Sequence, residues 1–297
     1  MNFKNILQEI EKADPEVFEK LNPRRQVLKS FGSKVAVAAL PFAIGSMFKK
    51  AYGGTSAASA VVTALNFALE LEYLEYNFYH TANNTGSNST TTLIPSGDAA
   101  GFVTIENHEK EHIIFLTNAV TSLGGVPYTP PNYSATALNP YYIAGGTYDF
   151  TLNGAYATFS DYSVFLDLAQ AFEDTGVRAY KGQIPVFLGN SALLTQALQV
   201  HAVEARHAAH VRLVRRLTGA VEYPKPWITN NIPPTITPSL QAVYNGEDNT
   251  VQNNVTITEL ADTHYNPPTI PKTAATEAFD ETLTSDQVSA IVSQFIL

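Results

Sequence analysis

The 297-residue sequence predicts an all-α protein. Its expected form is a four-helix bundle with a long crossover between the second and third helices and a Pro-rich C-terminal extension packed on the bundle. Three observations lead there. Apolar residues recur at steps of three and four in four separate segments of about 20 to 28 residues each, the mark of a helix with one buried face. The link between the second and third segments is long enough to cross the bundle's length, which leaves the middle pair running parallel. The tail is rich in proline, yet neither highly charged nor poor in apolar residues, so it should pack rather than stay disordered.

The first segment runs from about Ser59 to Ala82, with Leu65, Ala68, Glu72, Tyr76 and Tyr79 in one line. The second, about Ala99 to Ser122, aligns Phe102, Ile105, Glu109, His112 and Leu116. The third, about Ser160 to Gln183, aligns Leu166, Ala169, Glu173, Val177 and Tyr180, and Pro185 and Gly189 should end it. The fourth, about Ser191 to Thr218, carries Leu193, Ala197, Val200, Glu204, His207, Val211 and Val214. Asn83 to Asp98 reads as a polar surface loop, and Gly124 to Phe159 is the crossover. Phe279 to Leu297 reads as a final helix with Val288, Ile291, Val292 and Phe295 inward. The bundle is expected over residues 58–218 and the extension over 219–297.

Residues 1–57 read as an address. Arg24 and Arg25 precede a weakly apolar run, Val35 to Phe48, that is too short to span a membrane. A paired arginine ahead of such a run resembles a twin-arginine export signal, although Val27 stands where a bulkier residue is common. The bland alternative is an amphipathic N-terminal helix. The expected location is therefore periplasmic or otherwise extracytoplasmic, with no stable membrane span in the mature form.

Composition narrows the chemistry. The chain has no cysteine, which excludes a disulfide scaffold, a thiolate metal site and a cysteine nucleophile. The formal charge is −9, and residues 51–297 hold nine bases against twenty-two acids. So acidic a body argues against nucleic acid as a partner. No Gly-rich phosphate loop and no Gly-x-Ser-x-Gly elbow is present.

What remains is a set of acids where leucines belong. Each helix interrupts its apolar line once: Glu72 in the first, Glu109 with His112 in the second, Glu173 in the third, Glu204 with His207 in the fourth. One unpartnered buried carboxylate costs several kcal/mol, so four at matching depth call for a common counter-charge. Residues three apart share a helix face, so each Glu-x-x-His pair can grip one cation while the two lone glutamates bridge or cap. Glu70 shares a face with Thr63, Asn66 and Asn77 and reads as solvated, while Glu75 sits beside the line and reads as a supporting acid. Glu106, His108 and Glu111 read as surface or rim, and His201 and His210 as pointing away. Asp174 reads as a hydrogen-bonding neighbour of the centre, and Tyr79 as either a partner of the centre or plain core.

These motifs stand as Leu71-Glu72-Tyr73-Leu74-Glu75 with Phe78-Tyr79, His108-Glu109-Lys110-Glu111-His112, Phe172-Glu173-Asp174-Thr175-Gly176 and Glu204-Ala205-Arg206-His207. On them, the chain resembles the ferritin-like superfamily, and within it the twin-arginine-exported bacterial group that includes desiccation-related proteins. The resemblance implies a ferritin-like bundle holding two Fe or Mn ions per chain. Such a centre handles small oxidants, H2O2 or O2, or ferrous iron, in oxidative or envelope stress. Catalase-like and ferroxidase activity both fit, and the residues do not choose between them. Three rivals remain: an iron-storing cage, which the long connections would crowd; a non-catalytic stress or desiccation-related protein whose metal site is structural or vestigial; and a metal-free bundle whose acids pair with bases. A homo-oligomer is compatible with all of these.

Overall fold

The computed structural model describes residues 56–85, 92–144, 146–218, 225–234, 240–264 and 267–297. The segment read as an export signal lies, through residue 55, outside the described residues. Four long helices dominate: α1 (Ser56–Asn84), α2 (Ser96–Ser122), α3 (Tyr162–Phe187) and α4 (Ser191–Leu217). Local chemistry sets two of their starts. Asp161 accepts hydrogen bonds from the backbone of Ser163 and Val164, and Asn190 does the same for Ala192 and Leu193. Each such cap contributes about 1 kcal/mol.

Side-chain contacts fix the directions. Early α1 meets the end of α2, where Gly125 approaches Val62, and late α1 meets early α2, where Tyr79 stacks on Phe102. Phe78 of α1 stacks on Phe165 of α3, and Tyr180 reaches back to Glu72. So α1 is antiparallel to both, and α2 and α3 run parallel. The crossover between them lies along α1. Asn66 binds it at Val126 and Tyr128, and Asn77 binds it at Tyr141 and Ile143, with distances of 2.6 to 3.0 Å. The face of α1 read as solvated is therefore covered: Asn77 is buried, and Glu70 is half-buried beside Tyr128.

The C-terminal extension does for α3 what the crossover does for α1. It contains α5 (Gln241–Tyr244), a hairpin of β1 (Val251–Gln252) and β2 (Val255–Thr256), α6 (Lys272–Glu277) and α7 (Ser285–Val292). It approaches so closely that a Cβ at Gly182 would lie 2.1 Å from the Leu283 carbonyl oxygen, so only glycine fits there. Residues 165–180 of α3 are consequently buried on every side, and so are residues 71–79 of α1. By contrast α2 and α4 keep the expected single buried face.

Two boundaries differ from the sequence reading. α3 continues through Pro185 to Phe187 instead of ending near Gln183. Proline in the last turn forfeits one backbone hydrogen bond, and burying Phe187, 3% exposed, offsets that loss. The final helix starts at Ser285, not Phe279, because Thr284 and Gln287 form a capping box there, while Asp280, Glu281 and Leu283 bond through their backbone to α3. Val288, Ile291, Val292 and Phe295 are buried as expected. No helix among the described residues is long and apolar enough to cross a membrane.

Candidate metal centre

Midway along the bundle, Glu72, Glu109, His112, Glu173, Glu204 and His207 converge, all buried. Each is delivered by the stripe that buries its helix, so the packing that forms the core also fixes their depth. They form two overlapping groups. In the first, the Nδ1 atom of His112 lies 3.1 Å from Glu72 Oε2, 3.0 Å from Glu109 Oε2 and 3.1 Å from Glu204 Oε1. In the second, Nδ1 of His207 lies 2.9 Å from Glu109 Oε1, 3.3 Å from Glu173 Oε2 and 3.9 Å from Glu204 Oε2. Glu109 and Glu204 thus belong to both groups, offering one oxygen to each, while Glu72 and Glu173 each belong to one. Either group has the spacing that a bound metal ion would need.

The bonding left undone inside this cluster tests whether a metal fits. Glu109 Oε1, Glu173 Oε2, both oxygens of Glu204 and Nδ1 of His207 are buried and lack any hydrogen bond. Several sit within 3.3 Å of one another without the alignment a hydrogen bond requires. Orphaned buried oxygens are rare and costly, and oxygens and nitrogens gathered within 4.8 Å of one another suit a cation. Carboxylate oxygens with two imidazoles favour hard or borderline ions such as iron and manganese.

The electrostatics show what the centre does while it holds only protons. Burial raises Glu72 and Glu173 to about 8, against the pull of His112 and His207 respectively. Burial would also raise Glu109, but the two imidazoles override it and hold its carboxyl far below the usual range. Burial would lower His207, yet Glu173 and Glu109 carry it up to about 11, and His112 is likewise driven well above its ordinary value.

Two tyrosines complete a reciprocal pattern. Tyr79, seven residues after Glu72, donates to Glu173 Oε1 at 2.5 Å; Tyr180, seven residues after Glu173, donates to Glu72. Tyr79 is therefore a partner of the cluster as well as core. Burial first, and the carboxylates second, raise both phenols well above 10, so they remain donors. The role of Tyr180 was readable from the spacing it shares with Tyr79. Glu75, 3% exposed, is buried next to the two groups but belongs to neither.

Other residues lie elsewhere. Asp174 turns away from the cluster and pairs with Arg212 and with the Tyr244 hydroxyl at 2.7 Å, because the adjoining face of α3 is covered by the extension. His108 is exposed, as its position off the line suggests, but its Nδ1 is 2.9 Å from Nε2 of His207. Glu106 binds His80 and Asn83, and His210 packs on Phe102.

Residues 60–216 match the family model described as a ferritin-like domain, a span of just over half the chain. No curated protein matches the chain.

Proposed function

The chain belongs to the ferritin-like domain family, and from that premise we propose that it is an exported di-metal carboxylate protein holding two iron or manganese ions and acting on peroxide, dioxygen or ferrous iron. The observation that carries this reading is the set of buried carboxylate oxygens with no hydrogen-bond partner, gathered in one interior. Glu109 and Glu204, each with one oxygen in both groups, would help hold both ions. Glu72 with His112, and Glu173 with His207, would cap them. When bound, such ions supply one-electron redox chemistry toward O2 or H2O2.

The protein's own residues supply the rest. Tyr79 and Tyr180 hold the free oxygens of Glu173 and Glu72 and thereby orient the capping carboxylates. His108 holds the outward nitrogen of His207 and links the centre to solvent. Phe102, Ile113, Leu69 and Phe172, each at most 2% exposed, belong to the buried apolar interior of the same helices.

The paired arginines at 24 and 25 support export in the folded state, with a role in oxidative or envelope stress. The test is metal content. Glu109→Ala and Glu204→Ala should each abolish stoichiometric uptake, because each removes an oxygen from both groups. Glu70→Ala, half-buried beside the crossover, should leave uptake intact. Equal loss in all three variants would sink the assignment.

A further inference from the structure

The two halves of the bundle repeat one pattern: a lone glutamate, a tyrosine seven residues later, then a Glu-x-x-His pair on the following helix. Residues 72, 79, 109 and 112 correspond to 173, 180, 204 and 207. The correspondence breaks at one place, three residues after the lone glutamate. There α1 carries Glu75 and α3 carries Gly176, and the two face each other.

Glu75 is 3% exposed and makes no hydrogen bond or ion pair with any described residue. Glu204, Glu173, Glu109 and Glu72 surround it and, with burial as the largest cause, raise it well above the ordinary value. A Cβ at position 176 would sit 3.2 Å from Glu204 Oε2 and 3.3 Å from Glu75 Oε1. The absent side chain is what leaves room for the Glu75 carboxyl beside Glu204. A buried acid kept for structure donates its proton to a carbonyl or a second carboxylate. Glu75 does neither, and Leu or Gln of similar volume would remove the cost of burying it.

We infer that Glu75 is a seventh metal-binding side chain of this centre, made possible by Gly176 and additional to the six residues that the two groups contain. Its carboxylate lies across the Gly176 position from Glu204 Oε2. The inference rests on the di-metal reading, and the experiment separates the two.

Full-length protein stripped of metal is titrated with Mn2+ by calorimetry, for the wild type, Glu75→Gln and Gly176→Ala, with metal-free melting temperatures recorded alongside. Glu75→Gln is expected to melt at or above the wild-type temperature without metal, because it relieves a buried acid, yet to weaken at least one Mn2+ equivalent by about 10- to 100-fold. Gly176→Ala should weaken the same equivalent, since its methyl group presses on both oxygens. Co2+-loaded samples report the coordination directly, and their visible absorption should change in Glu75→Gln. Two Mn2+ equivalents of unchanged affinity in Glu75→Gln, or an unchanged Co2+ spectrum, overturn the Glu75 assignment and leave the di-metal reading standing. Failure of both variants to fold without metal assigns Glu75 to packing and overturns it as well. A wild-type chain that takes up no Mn2+, Fe2+ or Co2+ overturns the di-metal reading and this inference together.

Discussion

Loading the centre with divalent metal should expel protons in a number the structure specifies. At pH 7, carboxyls with values of about 8 are roughly nine-tenths protonated, so Glu72 and Glu173 each hold nearly one proton. His207, at about 11, and His112, well above its ordinary value, are imidazolium. Glu109 is held ionised by those imidazoles and brings none. A metal ligand must be deprotonated, so uptake of two ions at pH 7 should release about four protons. Calorimetric titration with Mn2+ in two buffers of different ionisation enthalpy measures the number. It should fall as the pH is raised through 8, because Glu72 and Glu173 then start ionised while the imidazoliums persist. Release of one proton or none at pH 7 would refute the coupled proton-holding centre.

The same shifts give the metal-free protein a pH dependence of definite sign. Glu72 and Glu173 are raised above their ordinary 4.5, so the folded chain keeps protons that the unfolded chain has already lost. The stability they contribute is whole below 4.5 and is lost as the pH climbs to about 8. His207, raised from 6.5, adds a loss that extends toward 11. Glu109 acts the other way, and its contribution vanishes only as the pH falls below 4.5 toward its depressed value. The metal-free melting temperature should therefore fall between pH 5 and pH 9.

Removing the buried partner of Arg178 by Glu247→Ala should cost about 3–5 kcal/mol, because a 1% exposed guanidinium loses its carboxylate. The measurement is the melting temperature, which should fall on the order of 10 °C, and a change below about 2 °C would contradict it. Arg24→Lys with Arg25→Lys should trap the protein in the cytoplasm, as read by cell fractionation; normal export of that variant would mean that residues 1–57 are not a twin-arginine signal.

The four helices were legible because each presents a line of apolar residues to a common core, and the acids were legible because they interrupt those lines at one depth. What escaped was anything that depends on a cover. Asp167, Gln170, Asp174 and Arg178 form a polar line on α3 whose burial periodicity does not predict, yet all four are buried, the last three against the extension. Asn66 and Asn77 carry the same ambiguity on α1, where the crossover supplies the cover. Periodicity reports how polar a face is and not what lies over it, so a face that a later segment covers cannot be told from one that water covers. Glu75 was obscured differently. Its offset of three from Glu72 repeats the spacing of both Glu-x-x-His pairs, but a carboxylate in that place lacks the imidazole that makes the pattern recognisable.

The buried charges fall into two separate sets, and the separation bears on why the centre needs a cation. Arg178, Arg212 and Arg215 are 1 to 4% exposed, and each has its own acid: Glu247, Asp174 and Asp167. Those pairs tie α3 and α4 to each other and, through Arg178 and the Tyr244 hydroxyl, to the extension. None of the three guanidinium groups pairs with a glutamate of the centre, although Asp174 is the residue next to Glu173. Lys110, the one lysine or arginine within α2, lies over the ring of Tyr141 and not in the core. Where this chain uses arginine to neutralise a buried acid, it does so pair by pair with hydrogen-bonded geometry. Around the centre it gathers Glu72, Glu75, Glu109, Glu173 and Glu204 with two imidazoles and two tyrosine hydroxyls but no guanidinium, and leaves lone pairs unused. A bundle whose acids were meant for internal salt bridges would have brought one of those three arginines across a single helix face, and the sequence places them on the other side of it.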